Sequence, residues 1–469
     1  MTVAETLADF ALETPGASVP GQVRSRAVLQ LLDTLGCGLA AVGLGEGGHA
    51  AAVAIDEEGR PEASVIGSAT LVPAASAALA NGTRCHALDF DDTHEAGICH
   101  ASTVVAPAAL AAGEATGASG ADVLTAYVLG AEVALRIAVQ AADALYERGF
   151  HPTPVCGVFG ATAASARLLG LDRDAAVDAL GIAGSFAAGL FEYLADGSDT
   201  KPLHAGWAAQ AGVQAAKLAH AGATGPSTVL EGRFGMLASH GADPARAEAI
   251  AERLGERWEF PELAIKPFPA CHFLHASTWA AGELAEEHGL AAADVEAAFV
   301  RVPPEGARLV LEPLEDKLAP RTPYDAKFSL PYTLAHRIVH GRLDLRSFAP
   351  DAIREPDVLE LARRVKPEVL DGDGAPSRFA GGARIVTRDG QTFDRFIDHS
   401  PGTPRNPLDE EWVLGKFRSS AGLALDAGSL DALAAALRGI DGDAPVADAT
   451  RLLRGEVVPT EPTRAATRP

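Results

Sequence analysis

Leu88-Asp89-Phe90-Asp91-Asp92-Thr93-His94, followed by His100-Ala101-Ser102, brings four carboxylates, a hydroxyl and two imidazoles into the span from Leu88 to His100. Leu88 and Phe90 alternate with the acids, and Ala-rich stretches of helical character flank the segment on both sides. Such a density of proton-handling groups reads as an active-site turn. The plain alternative for the segment alone is a helix end with an acidic cap. Similar polar clusters further along the chain favour the first reading.

At 469 residues the chain exceeds the size at which one core keeps growing, so two domains are expected. A hydrophobic fraction of 48% is enough to bury both. The formal net charge of -23, with no compensating basic stripe, speaks against a nucleic-acid partner. Cys37, Cys85, Cys99, Cys156 and Cys271 show no CxxC or CxxxC spacing, which argues against a local zinc or iron–sulfur framework and for reduced thiols in a cytoplasmic protein. Met1 to Thr14 is acidic and amphipathic with no basic leader, and no uninterrupted apolar run reaches membrane-spanning length, so neither secretion nor a membrane partner is expected.

From Val3 to about Leu263, Ala, Leu and Val recur at helical spacing, broken by Gly, Pro and Thr. Gly157, Gly160, Ala161, Ala164, Ala205, Gly206, Ala209 and Gly212 offer little bulk, which lets helices approach closely. After Lys266 the texture changes. Ala297 to Val302 alternates as a strand, Gly382 to Ile397 reads as two strands around the Asp389-Gly390 turn, and helices are expected over Phe328 to His340 and Pro356 to Val365. Glu410 to Ser419 and Leu430 to Leu437 are helical again. The organisation is therefore an all-helical domain over 1–263, an α+β domain over 264–403, helices over 404–454 that rejoin the first domain, and a disordered Pro- and Thr-rich tail over 455–469.

His100 and His151 each precede an expected helix, with Ser102 and Thr103 as its caps in the first case. Asp199-Thr200-Lys201-Pro202-Leu203-His204 leads into another Ala-rich helix. Lys266-Pro267-Phe268-Pro269-Ala270-Cys271-His272-Phe273-Leu274-His275 opens the second domain. Lysines, imidazoles and helix N-termini favour bound anions, so a cleft with Lys201 and Lys266 would suit a polycarboxylate. Any one His or Lys is more often a satisfied core or solvated surface group, so the weight lies in the set. Together these groups can move a proton beside a carboxylate without a metal. The competing reading is a divalent-ion site built from Asp91, Asp92, His94 and His100.

Over nearly its whole length the chain resembles the MmgE/PrpD family, which includes cofactor-independent 2-methylcitrate dehydratase, cis-aconitate decarboxylase and iminodisuccinate epimerase. The resemblance rests on 88–94, Gly157-Val158-Phe159-Gly160-Ala161, Thr200-Lys201-Pro202-Leu203-His204-Ala205-Gly206, Lys266-Pro267-Phe268-Pro269 and Asn406-Pro407-Leu408. It implies a mainly α fold, in which a large all-helical domain carries an inserted smaller α+β lid domain, with the substrate between them, and a homodimer. It further implies Asp89, Thr93, His100, His151, Lys201 and Tyr332 as catalytic residues and Lys266 on the substrate, with His204, His94 and His275 as further substrate-side candidates. His94 rivals His100 as acid/base, and Tyr324 is the alternative to Tyr332. The expected activity is a lyase on a small di- or tricarboxylate, needing no metal and no cofactor. The alternatives are an epimerase using the same carbanion and a non-catalytic carboxylate binder.

Overall fold

The computed structural model describes residues 1–370 and 375–455, and these divide into two compact units. The tail expected to be disordered lies outside the described residues from 456 onward.

The helical unit comprises Met1–Glu192, Thr200–Leu263 and the chain from Asp409. Its main helices are Val3–Glu13, Gly21–Leu44, Ala74–His86, Ser102–Thr116, Gly120–Glu147, Pro152–Leu168, Thr200–His220 and Glu410–Ala421. Their starts follow local chemistry. Thr2 and Glu5 form a reciprocal capping box, and Ser119, Asp409 and, ahead of helix Arg173–Ala183, Asp172 accept backbone N–H groups of the first turn that would otherwise lack partners.

Small residues make the close packing that the sequence anticipates. A Cβ on Gly130 would fall 2.5 Å from the Gly160 carbonyl, and one on Gly212 would fall 2.8 Å from the Ala161 backbone. Helix Gly21–Leu44 is long and apolar enough, by length and composition, to cross a membrane, and 72% of its apolar window is buried inside the protein. Buried Gln30 and Asp33 interrupt its apolar surface.

The second unit, Tyr193–Asp199 with Ala264–Leu408, is α+β. Its sheet orders the strands Val365–Val369, Val295–Val302, Gly381–Thr387 and Thr392–Ile397; the first pair is parallel and the other two are antiparallel. Gly390, at φ 87°, makes the turn of the last hairpin, a conformation that glycine adopts at no steric cost. The helix expected over Pro356 to Val365 stops at Ala362, and Val365–Val369 forms an edge strand instead. Tyr193–Asp199 joins this unit because Tyr193 packs edge-on against Tyr324 and Phe328, each at 6.4 Å.

Candidate active site

The acidic segment begins where helix Ala74–His86 ends. The Asp89 N–H donates to the His86 carbonyl at 3.2 Å, and Asp89 takes a φ of 53°, in the left-handed region that a non-glycine residue enters at a cost. Beyond it an antiparallel bridge between His94 and Cys99, with the His94 N–H on the Cys99 carbonyl at 2.8 Å, closes a short loop. The bridge brings Thr93 and His100 together, with Oγ1 3.3 Å from Nδ1. The His100 N–H donates to Thr153 Oγ1 at 3.1 Å, tying the segment to helix Pro152–Leu168, for which His151 stands at the N-cap.

Four imidazoles and one ammonium gather here. Asp91 Oδ2 lies 2.9 Å from His86 Nδ1 and 3.3 Å from His100 Nδ1. The His100 ring is 4.7 Å from His86 and 6.0 Å from His151, and His86 stacks on His151 at 5.9 Å. His151 Nδ1 meets His204 Nδ1 at 3.1 Å, and Lys201 Nζ donates to Asp89 Oδ2 at 2.9 Å. Lys201 and His204 come from the first turn of helix Thr200–His220. Asp89, Asp91, His86, His100, His151, Thr93 and Lys201 are all buried, and His204 is mostly so.

Burial alone would neutralise Asp91, but the charges and hydrogen bonds of His86 and His100 overcome it and hold the carboxyl well below the usual range. The adjacent Asp92 behaves oppositely. Burial pushes it up to about 8 against the hydrogen bond from Ser102, with the charges of Asp91 and Asp33 adding to the rise. Asp92 is therefore largely a neutral acid at pH 7. Burial lowers His151 well below the ordinary imidazole value, helped by His204 and Lys201, and takes His204 down to about 4. Both enter the site as neutral rings, not as the cations that anion binding at helix N-termini would have suggested.

His100 Nδ1 lies 2.5 Å from the Asp92 carbonyl, which only accepts, so Nδ1 carries the proton and Nε2 is the nitrogen that exchanges one. The expected caps do something else. Ser102 Oγ bonds Asp92 and, at 2.5 Å, the Tyr127 hydroxyl, while Thr103 Oγ1 donates to the His100 carbonyl. Ala101 is the N-cap, and no side chain caps that helix.

Of the candidates read from the sequence, Asp89, Thr93, His100, His151, Lys201 and His204 come together in this unit. His94 lies apart in role. Its Nδ1 accepts the Gly97 N–H at 3.0 Å and its Nε2 sits 3.3 Å from Glu259, so it clips the loop. Lys266, His275 and Tyr332 belong to the second unit. Lys266 is fully buried there, and His275 Nε2 engages the Ala270 carbonyl at 3.1 Å. The sequence expectation places Tyr332 among the catalytic residues. Tyr332 is completely buried in helix Leu330–His340, donates its hydroxyl to the Ser347 carbonyl at 2.5 Å, and is shifted upward by burial. The alternative, Tyr324, packs on Phe328 at 5.7 Å.

Sequence reading missed His86. A single histidine in the last turn of an Ala-rich helix reads as a helix-end cation, and only its offset from Asp91 hints otherwise. Its Nε2 is buried with no hydrogen-bond partner among the described residues.

Two trios could hold a metal ion: His86 with His100 and His151, and Asp89 with Asp91 and His100, the ligand atoms within each lying within 4.8 Å of one another. Neither matches the Asp91, Asp92, His94 and His100 set considered from sequence. In the second trio Lys201 already engages Asp89.

A helical scaffold that buries an ionised carboxylate between imidazoles, beside a lysine–aspartate pair, brings together the kinds of group that proton transfer near negative charge needs. The chain belongs to the MmgE/PrpD family: residues 5–247 match the MmgE/PrpD N-terminal domain and residues 268–437 its C-terminal domain. It is 28% identical to the cis-aconitate decarboxylase-like protein oryM of Aspergillus oryzae over 97% of this chain and 98% of that one. It is 31% identical to the cis-aconitate decarboxylase of Mus musculus over 83% and 80% of the two chains, and equally identical to that of Homo sapiens over 83% and 81%.

Proposed function

We propose that this protein is a metal-independent lyase that removes carbon dioxide or water from a small tri- or dicarboxylate of the cis-aconitate type. The observation that carries the reading is Asp91, kept ionised between His86 and His100, within a site that also holds the Lys201–Asp89 pair. The names of the decarboxylase relatives support the substrate class.

In decarboxylation the C–C bond to one carboxylate breaks, its electron pair stays on carbon, and carbon dioxide leaves. The carbanion then takes a proton from His100 Nε2, and the ring regains one from water. Asp91 supports the imidazolium form of His100, and the Asp92 carbonyl keeps its Nδ1 proton in place. Lys201, His151 and His204 hold the remaining carboxylates, the rings through N–H donation. For dehydration the same nitrogen works in reverse: starting unprotonated, Nε2 takes the proton from carbon and passes it to the departing hydroxyl, which leaves as water.

Lys201 brings to Asp89 the positive charge that a metal ion would otherwise supply, which favours the metal-independent reading. Incubation with cis-aconitate, citrate and 2-methylcitrate after exhaustive chelation, followed by assay of carbon dioxide and of the organic product, tests it. The reading expects full activity. Activity lost on chelation and restored by a divalent ion would replace it with a metal-dependent lyase on one of the two trios.

The proposal extends to a cytoplasmic homodimer. The five cysteines, all buried and without CxxC spacing, support a reducing compartment. Leu203, Trp207 and Leu218, exposed at 37%, 45% and 42%, support a partner surface, since they fall within about 60° of one another around helix Thr200–His220.

A further inference from the structure

The acidic turn is held from the far end of the chain. Lys416, on helix Glu410–Ala421, is 5% exposed, and its Nζ stands 2.7 Å from Asp33 Oδ1. The same ammonium donates to the Phe90 carbonyl at 2.6 Å and lies 3.7 Å from the centre of the Phe90 ring. Asp33, 1% exposed, comes from the middle of helix Gly21–Leu44, where burial pushes its carboxyl up against the opposing pull of Lys416.

A buried ion pair of this kind is a poor way to join two helices. Desolvating both charges costs several kcal/mol each, and apolar residues of the same volume often serve as well or better. The two helices already meet without it. A Cβ on Gly36 would lie 3.1 Å from the Phe417 ring, and one on Gly43 would lie 2.5 Å from the Leu423 carbonyl, just past the end of the second helix. Helix packing therefore leaves the pair unexplained, and its contact with Phe90 supplies the missing reason.

Phe90 is the residue between the two carboxylates of the site. On one side stands Asp89, with its φ of 53° and its carboxylate on Lys201. On the other stands Asp91, shared by His86 and His100. A non-glycine residue in the left-handed region persists only where its surroundings over-determine it. Lys416 grips Phe90 twice, through a charge-assisted hydrogen bond to its carbonyl and a cation–π contact to its ring.

We infer that Lys416, backed by Asp33, is a positioning residue: it fixes the backbone of Asp89, Phe90 and Asp91 in the strained form that delivers one carboxylate to Lys201 and the other to His86 and His100. It acts through the turn and touches no reacting atom. The inference rests on reading this cluster as the active site, and its test has one readout that needs no turnover.

The variants are Lys416→Met, which keeps the stem and removes the ammonium, and Lys416→Met with Asp33→Asn, which also removes the stranded acid and preserves the fold if the single variant does not. Two readouts apply: kcat and KM on the carboxylate that the native protein turns over, and amide hydrogen exchange of 88–94 in the ligand-free protein. The expected result for the double variant is a native circular-dichroism spectrum, kcat reduced by about 10²-fold with KM changed less than about threefold, and exchange of 88–94 faster by about tenfold or more. Lys416→Arg should restore exchange protection in part, because it keeps the charge, and kcat only weakly, because its planar fork is longer. Native kcat per folded molecule together with native exchange in the double variant would overturn the inference and leave the pair a packing feature. If the native protein turns over none of the carboxylates, the functional reading fails while the exchange measurement still decides the positioning role.

Discussion

Asp91 and Asp92 are neighbours in sequence with opposite electrostatic fates, and the difference can be measured. Asp92, raised to about 8 chiefly by burial, binds its proton more tightly folded than unfolded. It therefore contributes stability that is complete below the unfolded value, near pH 4, and is lost as pH rises toward 8, at up to about 1.4 kcal/mol per pH unit. Asp92→Asn mimics the neutral acid. Its Tm relative to the native protein should rise steadily between about pH 5 and about pH 8; a pH-independent difference would show that Asp92 is ionised in the fold. A second prediction concerns the lowered His151 and His204. A polycarboxylate entering beside neutral rings favours their charged forms, so binding of a non-reacting tricarboxylate near pH 6 should take up protons. Calorimetry in buffers of different ionisation enthalpy would read this as a buffer-dependent heat, and buffer-independent heats would contradict it. Asp89, Thr93, His100, His151 and Lys201 were legible in the sequence because they are dense or sit in short motifs. His86, Asp33 and Lys416 were not, because each is a lone polar residue in a helical run and gains meaning only from partners far away or on a neighbouring turn.

At the scale of elements, glycine sets the distance between helix Gly21–Leu44 and helix Glu410–Ala421. A side chain at Gly43 meets the Leu423 backbone, which cannot swing aside as a flexible side chain can. Gly43→Val should cost about 1–3 kcal/mol of stability and release Lys416 from Phe90, lowering kcat together with Tm. Thermal melting and steady-state kinetics check it, and unchanged values of both would show that the helices have slack. The helices themselves were readable from apolar period, as were the hairpin strands Gly381–Thr387 and Thr392–Ile397 from their Asp-Gly turn. Strand Val365–Val369 was not. It is short, contains Pro367, exposes Lys366, and follows directly on a helix, so only its pairing with Val295–Val302 identifies it. The swing of Ser102 from expected cap to Asp92 partner was hidden for a similar reason: capping is a local rule, and a buried acid ten residues upstream outcompeted it.

For the whole molecule, the exposed stripe of Leu203, Trp207 and Leu218 predicts self-association. Light scattering should give the mass of a dimer, and Trp207→Asp should shift it to a monomer with the circular-dichroism spectrum unchanged. A native protein that is monomeric at micromolar concentration would remove the homodimer from the proposal. The central claim is that this chain performs metal-independent proton transfer at a carboxylate-bearing carbon. It is tested most directly by proton NMR in deuterium oxide with cis-aconitate, 2-methylcitrate, citrate and iminodisuccinate, beside a Lys201→Ala control. The account predicts that one of them loses carbon dioxide or water, that a decarboxylated product carries deuterium at the former carbanion carbon, and that the control is slower by at least about 10²-fold. Deuterium washing into recovered substrate with neither loss would make the protein an epimerase, and four unchanged spectra would contradict the account.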